Sequence, residues 1–348
     1  MEMKTVIINK PGEAELIEKA KPVRKAGEAL LRILYGGICG SDLGTYRGTF
    51  AYASYPRIPG HEFSAQILEI DDADAKKYNL KKGMVVTCNP YFNCGSCYSC
   101  RRGLVNCCTS NETLGAQRDG AFSEYITMPV ERIYDGKGLP AKTLALIEPF
   151  CISYHGISRA KVQPGEKVLV VGAGTIGVLA AAAAKAAGAR VWIADIAPKK
   201  LAYAVESFGL DGSILNDSPE NFQQKVDEIT AGDGFDVTVE AVGLPSTFQN
   251  CIDAAAFGAR FVQIGVGKKN ADFNFTLLQK KELNVYGSRN ALKKDFLELI
   301  DLVRAGKVDI QKIVTNVYEL DAAPKAFRDF SENAASMLKV VIRFSDPE

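Results

Sequence analysis

The chain has 348 residues, 47% of them apolar and 24% charged, which is enough for two domains with sizeable cores. Lys and Arg number 42 against 41 Asp and Glu, so no basic field speaks for nucleic acid or an anionic membrane. Charged residues recur from Glu2 through Lys25 where a signal peptide would need an apolar core, and no stretch reads as a membrane span; a cytoplasmic protein is expected. Short strands are predicted at Lys4–Ile8, Ala14–Lys19 and Ala29–Tyr35, parted by Pro11-Gly12 and Lys25-Ala26-Gly27. Leu43–Pro59 reads as loop, Glu62–Ile70 and Met84–Cys88 as strands, 89–110 as a cysteine loop, and Phe122–Pro129 and Glu131–Tyr134 as strands again. From about residue 165 the rhythm becomes strand, helix, strand. Strands are expected at Val168–Val171, Arg190–Ala194, Ser213–Asn216, Asp236–Val242, Ala259–Val266 and Leu283–Ser288. Between them lie an alanine-rich helix ending near Gly188 and helices at Pro198–Phe208, Pro219–Thr230 and Pro245–Phe257. The tail offers helices at Lys293–Ala305 and Pro324–Asn333 and a strand at Met337–Phe344.

Alternation of this kind makes an α/β fold with a doubly wound parallel sheet. Its first strand runs into Gly172, Gly174 and Gly177, a G-x-G-x-x-G turn that opens a helix. Gly172 permits the tight turn, Gly174 lets a pyrophosphate approach the backbone, and Gly177 lets helix and strand pack closely. The free N–H groups of the helix start face the phosphates. Asp195 closes the next strand, where it can accept from the ribose hydroxyls and opposes a 2′-phosphate, so NAD is expected over NADP. Lys199 and Lys200 follow, and Lys200 is a candidate contact to a ribose or phosphate. Thr175, Ile176, Val242, Ile264 and Val266 are further candidate cofactor contacts.

Of the nine cysteines, Cys94, Cys97, Cys100 and Cys108 stand as C-x2-C-x2-C-x7-C. Four thiolates can surround zinc tetrahedrally and leave no place for substrate, so a structural zinc is expected; free or disulfide-paired thiols are the plain alternative, and Cys107 is the alternative to Cys108. A second set is dispersed: Cys39 in Gly37-Ile38-Cys39-Gly40-Ser41-Asp42, His61 and Glu62 after Pro59-Gly60, and Glu148 between apolar neighbours and Pro149. Cysteine, histidine and carboxylate with one open position make a catalytic zinc site, whereas a packed cysteine and a hydrogen-bonded histidine are the plain alternative. His155, the other histidine, is expected to be packed rather than a ligand.

In these motifs, taken in order over nearly its whole length, the chain resembles the zinc-dependent medium-chain dehydrogenases, the alcohol and sorbitol dehydrogenase family. The resemblance implies a GroES-like β-rich catalytic domain, 1–153 with 290–348, clasping a Rossmann NAD-binding domain, 154–289, with the active site in the cleft. It implies Cys39, His61 and Glu148 as catalytic zinc ligands, Glu62 as a glutamate that takes turns on the metal, Ser41 as proton acceptor and Asp42 as the carboxylate orienting the zinc histidine. Arg289 matches an arginine near the nicotinamide and substrate. Many relatives carry a relay histidine where this chain has Gly44, so the relay ends in water or a group such as Tyr46.

Glutamate at 148 resembles the polyol branch. Within it, Pro90-Tyr91, Asn106-Cys107-Cys108, Gln117–Tyr125, Ile147–Ile152 and Gly287–Ala291 look like the sugar-acid dehydrogenases. The implied activity is NAD-dependent oxidation of a secondary hydroxyl of a polyol or aldonate, with two zinc ions per chain and Arg47, Arg118 and Arg289 as candidate carboxylate holders. The alternatives are a sorbitol- or galactitol-phosphate-type enzyme, a simple alcohol dehydrogenase, or, more remotely, a non-enzymatic NAD-binding redox sensor. Relatives form dimers or tetramers, so a homo-oligomer is expected, without nucleic-acid or membrane partners.

Overall fold

The computed structural model describes residues 2–347 and divides into two compact units. One comprises the described residues up to Pro149 with Leu292–Arg304 and those from Ile310 onward; the other comprises Phe150–Ala291 and Ala305–Asp309. The chain passes from the first to the second within a single helix, Ile147–Ala160.

The first unit is built on a seven-stranded sheet whose longest member is Glu28–Ile38. Glu62–Glu69 pairs antiparallel along one edge of that strand and Lys339–Arg343 along the other, with Val340 opposite Ile38. The sequence's end thus supplies a strand to the sheet begun near its start. Inward-facing Leu31, Ile33, Phe63, Ala65, Ile67 and Val86 form one core. Val6, Ile8, Leu43, Phe122, Phe327 and Val340 form a second.

The second unit is a six-stranded, wholly parallel sheet, ordered 212–215, 190–195, 167–171, 235–240, 255–263 and 284–287. Counted along the chain this is the order 3-2-1-4-5-6 of the Rossmann fold, and its switch point lies beside the first strand. The strands read as unbroken apolar runs because helices cover both faces; Val168, Leu169, Val170, Val237 and Val239 are fully buried. The helix Thr175–Ala186 buries every residue from Gly177 to Ala184, and only small side chains allow that approach. A Cβ on Gly177 would stand 1.8 Å from the carbonyl oxygen of Gly172.

Several readings change. Leu43–Pro59 is not all loop: Gly40–Arg47 is a helix, N-capped by Cys39 and ended by Gly48 in the left-handed region. It lacks an apolar stripe and is held by its cap and by Leu43 and Tyr46 in the second core. The helix from Pro245 stops at Ala254, and the strand begins at Ala255 rather than Ala259. An alanine run into phenylalanine has no period to tell helix from strand. The strand Val314–Glu319, half exposed in alternation, lay in a stretch with no assignment. Among the described residues no helix is long and apolar enough to cross a membrane.

Candidate metal and cofactor sites

In the first unit, Cys39 caps the helix Gly40–Arg47, and its N–H donates to Asp42 Oδ2 at 3.0 Å. Asp42, 1% exposed, accepts through Oδ1 from Gly60 N at 3.1 Å. One carboxylate therefore ties the cysteine turn to the Pro59-Gly60-His61 turn. His61 leads directly into the strand Glu62–Glu69, where Glu62 lies opposite Gly37. That pairing requires glycine, since a Cβ on Gly37 would sit 2.2 Å from Glu62 Oε2. The outcome is one ligand atom from each of Cys39, His61 and Glu62, all within 4.8 Å of one another.

Glu148 is outside that trio. It is buried on the helix Ile147–Ala160, and its Oε1 accepts from the hydroxyl of Tyr91. Burial, followed by the charge of Glu62, pushes its carboxyl up to about 7 against the pull of His61. Burial also raises Asp42. For His61 burial acts downward, but Asp42 and Cys39 outweigh it and hold the imidazole well above its ordinary value. His61 Nδ1 lies 3.8 Å from Asp42 Oδ1, beyond hydrogen-bond range, and is a buried nitrogen without a partner. A half-buried thiol beside three buried carboxyls and an orphaned, buried imidazole nitrogen forms a donor set that suits a divalent cation.

Lys339, absent from the sequence-based candidates, completes the surroundings. It is 2% exposed, and its Nζ meets Glu62 Oε1 at 2.8 Å, Oε2 at 2.7 Å and the Ile38 carbonyl at 3.3 Å. A lysine between Leu338 and Val340 in an apolar strand was the available signal, because a buried cation requires a partner.

Cys94, Cys97, Cys100 and Cys108 also converge, with ligand atoms within 4.8 Å of one another, and none of the nine cysteines is in a disulfide. Backbone N–H groups from Cys100 and Thr109 hold Cys97 down to about 5, and those of Ser96 and Cys97 lower Cys94. Burial, with Cys97 adjacent, pushes Cys100 up to about 11. Four converging thiols with preset N–H donors fit a structural zinc. Cys107 is outside the group.

In the second unit Gly172 has φ +112°, and Gly174, the N-cap of Thr175–Ala186, has nothing within 4 Å of where a Cβ would be. Asp195 accepts from Ala173 N at 2.7 Å and from Ala197 N at 2.9 Å, which locks it beside the glycine turn. A cavity of about 400 Å³ is lined by Gly172, Asp195, Asn216, Ser218, Val242 and Leu244. Bare backbone at a helix start beside an acid and a cavity suits a dinucleotide. Thr175 and Ile176 begin that helix, and Lys200 is half-buried on Pro198–Phe208. Ile264 is buried, while Val242, Val266 and Arg289 are exposed. A larger cavity, about 590 Å³, opens beside Gly234 and Ala255 at the other ends of the strands; there Lys281 Nζ is committed to the carbonyls of Ile252, Asp253 and Ala255.

The remaining candidates are scattered. Ser41 is half-buried on the first turn of its helix. Tyr46 packs its ring on Phe327 at 5.7 Å. Arg47 Nε donates to Ser331 Oγ at 3.0 Å. Arg118 lies over the Phe92 ring at 3.9 Å and pairs with Glu112 at 3.4 Å. His155 is buried.

A β-rich unit with two clustered metal-donor sets and a Rossmann unit with a glycine turn define a zinc-binding dehydrogenase, an oxidoreductase. Residues 25–138 match the model of the alcohol dehydrogenase GroES-like domain, and residues 175–305 that of the zinc-binding dehydrogenase. L-galactonate-5-dehydrogenase of Escherichia coli (strain K12) is 34% identical over 342 residues, covering 98% of this chain and 99% of that protein. The structure of a "short chain alcohol dehydrogenase (rspB)" from E. coli CFT073, complexed with NADH, superimposes with a TM-score of 0.89 at 29% identity over 99% of each chain. That of galactitol-1-phosphate dehydrogenase from E. coli gives 0.89 at 28% identity over 98% of this chain and 100% of that one. The chain belongs to the zinc-dependent medium-chain dehydrogenase family.

Proposed function

We propose that this protein oxidises a secondary hydroxyl of a sugar acid to the ketone with NAD. The convergence of Cys39, His61 and Glu62 carries the reading, because it brings a thiol, an imidazole and a carboxylate from two separate turns within reach of one ion. Cys39, His61 and one of Glu62 and Glu148 would hold zinc, which would supply Lewis-acid chemistry that makes a hydroxyl more acidic, and bound NAD would supply the hydride acceptor. Ser41 accepts the hydroxyl proton, Asp42 holds the cysteine and histidine turns together, and Lys339 fixes Glu62. With Gly44 at the relay position and Tyr46 stacked in the core, the proton leaves Ser41 to water. Asp195 takes the adenosine ribose, which favours NAD over NADP.

The similarity to L-galactonate-5-dehydrogenase supports an aldonate as substrate. The engagement of Arg47 by Ser331 and of Arg118 by Glu112 favours a second reading, a polyol without a carboxylate to bind. The acting form is a cytoplasmic homodimer or homotetramer: the edge strand Asn284–Gly287 leaves one side of the parallel sheet unpaired, with Val285 46% exposed. Sedimentation checks the subunit count, and a monomer removes that part.

Zinc analysis and a substrate panel test the whole. Zinc-loaded protein with NAD is offered aldonates, polyols and sugar phosphates while nicotinamide absorbance is followed. Two zinc ions per chain and reduction with an aldonate are expected. A polyol preference moves the assignment to the second reading, and a chain that holds no zinc and reduces no NAD overturns both.

A further inference from the structure

Glu240 ends the strand Phe235–Glu240, and its carboxylate is 0% exposed, yet none of the four groups donating to it is a cation. Oε1 accepts from the N–H groups of Val242 at 2.9 Å and Gly243 at 2.8 Å and from the Thr247 hydroxyl at 2.7 Å. Oε2 accepts from the Gln263 amide at 2.5 Å. Burying such a group is costly unless every lone pair it turns inward is met. Here Val242 and Gly243 lie in the turn after the strand, Thr247 on the first turn of the helix Pro245–Ala254, and Gln263 at the end of the neighbouring parallel strand, all at the edge where doubly wound sheets bind dinucleotides.

The turns after both strands hang from this residue. The N–H groups of Val242 and Gly243 form a small anion nest that the carboxylate fills from within. On the other strand, the Gln263 amide also donates to the Gly265 carbonyl at 2.7 Å, while Ile264 N and Gly265 N donate to the main-chain carbonyl of Glu240 at 2.9 and 3.0 Å. A Cβ on Gly265 would lie 2.3 Å from Glu240 Oε2 and 2.4 Å from Gly243 N, so the turns are packed backbone to backbone. What they present outward is apolar: Val242 is 42% exposed and Val266 89%. Val242 also leans over the glycine turn, where a Cβ on Gly172 would meet it at 2.6 Å, and it lines the cavity containing Asp195.

We propose that Glu240 is a positioning residue for the dinucleotide: its carboxylate pre-sets the turns 241–244 and 264–266 in the shape that receives the cofactor. Binding then does not have to order them. The inference rests on the dinucleotide reading given above.

NADH fluorescence titration of the purified full chain tests it, with melting temperature measured alongside. Glu240→Gln keeps the shape and the Oε1 acceptor but sets an amide against the Gln263 amide; Glu240→Ala removes every bond. Loss of a charged hydrogen bond predicts NADH binding about tenfold weaker for Glu240→Gln, and weaker again for Glu240→Ala. The KM for NAD should rise while kcat at saturating NAD is kept. Phe222→Leu, in the core of the same unit, supplies a comparable melting loss and should bind NADH as the wild type does. Binding by Glu240→Gln within about twofold of wild type overturns the proposal, as does an equal weakening in Phe222→Leu. If Glu240→Ala does not fold, Glu240→Gln decides alone. A wild-type chain that fails to bind NADH overturns the dinucleotide reading itself, a result distinct from failure of the Glu240 assignment.

Discussion

The two metal-donor sets of the first unit are built on opposite plans. The four cysteines occupy one short loop, two of them buried, and their thiols are preset by neighbouring N–H groups. The set around Cys39 draws on a helix cap, a strand start, a helix beginning at Ile147 and a terminal strand, and it buries three carboxyls with a lysine and an imidazole. A local loop can collect its ion with little help from the remaining fold. The dispersed set exists only when the sheet is complete, because Lys339 reaches Glu62 across 277 residues of sequence. The first plan suits a staple, and the second suits a site that must hold buried charge in tension with an open coordination position.

The difference breaks cleanly if the dispersed set carries the chemistry. Cys39→Ala or His61→Ala should lower turnover about a thousandfold or more, the several kcal/mol a Lewis acid contributes, with circular dichroism unchanged. Full activity in either variant would remove the catalytic assignment. Next in size is Lys339→Met. It leaves Glu62 buried without its cation, at a cost of about 3–5 kcal/mol in denaturant unfolding of the metal-free chain. Adding Glu62→Gln should recover much of that loss, because it removes the stranded charge; a double variant no more stable than Lys339→Met would show that the pair is not coupled.

The same contrast explains what could be read in advance. The cysteine loop and the glycine turn keep their candidate atoms within a few residues, so the cysteine spacing, and the glycine spacing read with its flanking strands, helix and acid, point to Cys94–Cys108 and Gly172–Gly177. That the sheet is parallel and doubly wound follows from apolar strands alternating with helices, whereas the strand order is read from the pairing itself. Lys339 and Glu240, and the contact of Tyr91 with Glu148, escape the sequence because a strand residue's meaning lies in what its face meets, and the partners are set by register. Glu240 sits in Val-Thr-Val-Glu-Ala-Val, inside the strand expected at Asp236–Val242, where nothing local says which groups its carboxylate meets. The helix Gly40–Arg47 was hidden for the converse reason: its stability comes from the Asp42 cap and tertiary packing, not from an apolar stripe. The arginines at 47 and 118 were legible as charges, but their engagement with Ser331 and Glu112 depends on tertiary neighbours.

A smaller effect is expected at the staple. Cys108→Ser should bind one zinc per chain fewer and cost about 1–3 kcal/mol of stability, while turnover per folded molecule is kept. Loss of turnover in step with Cys39→Ala would erase the distinction between the two plans.

The smallest effect falls where the two sets come nearest in sequence, at Tyr91, just ahead of the cysteine loop. Its phenol donates to Glu148, its carbonyl accepts from Arg132, and Arg132 also holds Asn93, whose amide lies 3.8 Å from Cys100 Sγ. A carboxylate that serves a metal is oriented by such a partner, and its loss costs about 10–100-fold in affinity or activity. Tyr91→Phe keeps the ring in its buried place and removes only the donor. At the low end of that range, zinc should leave the Cys39 site for a chelator about tenfold faster, while the cysteine loop retains its own ion and unfolding shifts by only ~1 kcal/mol. Slower release would mean the reverse arrangement, in which the phenol restrains Glu148 from a metal that Cys39, His61 and Glu62 already hold.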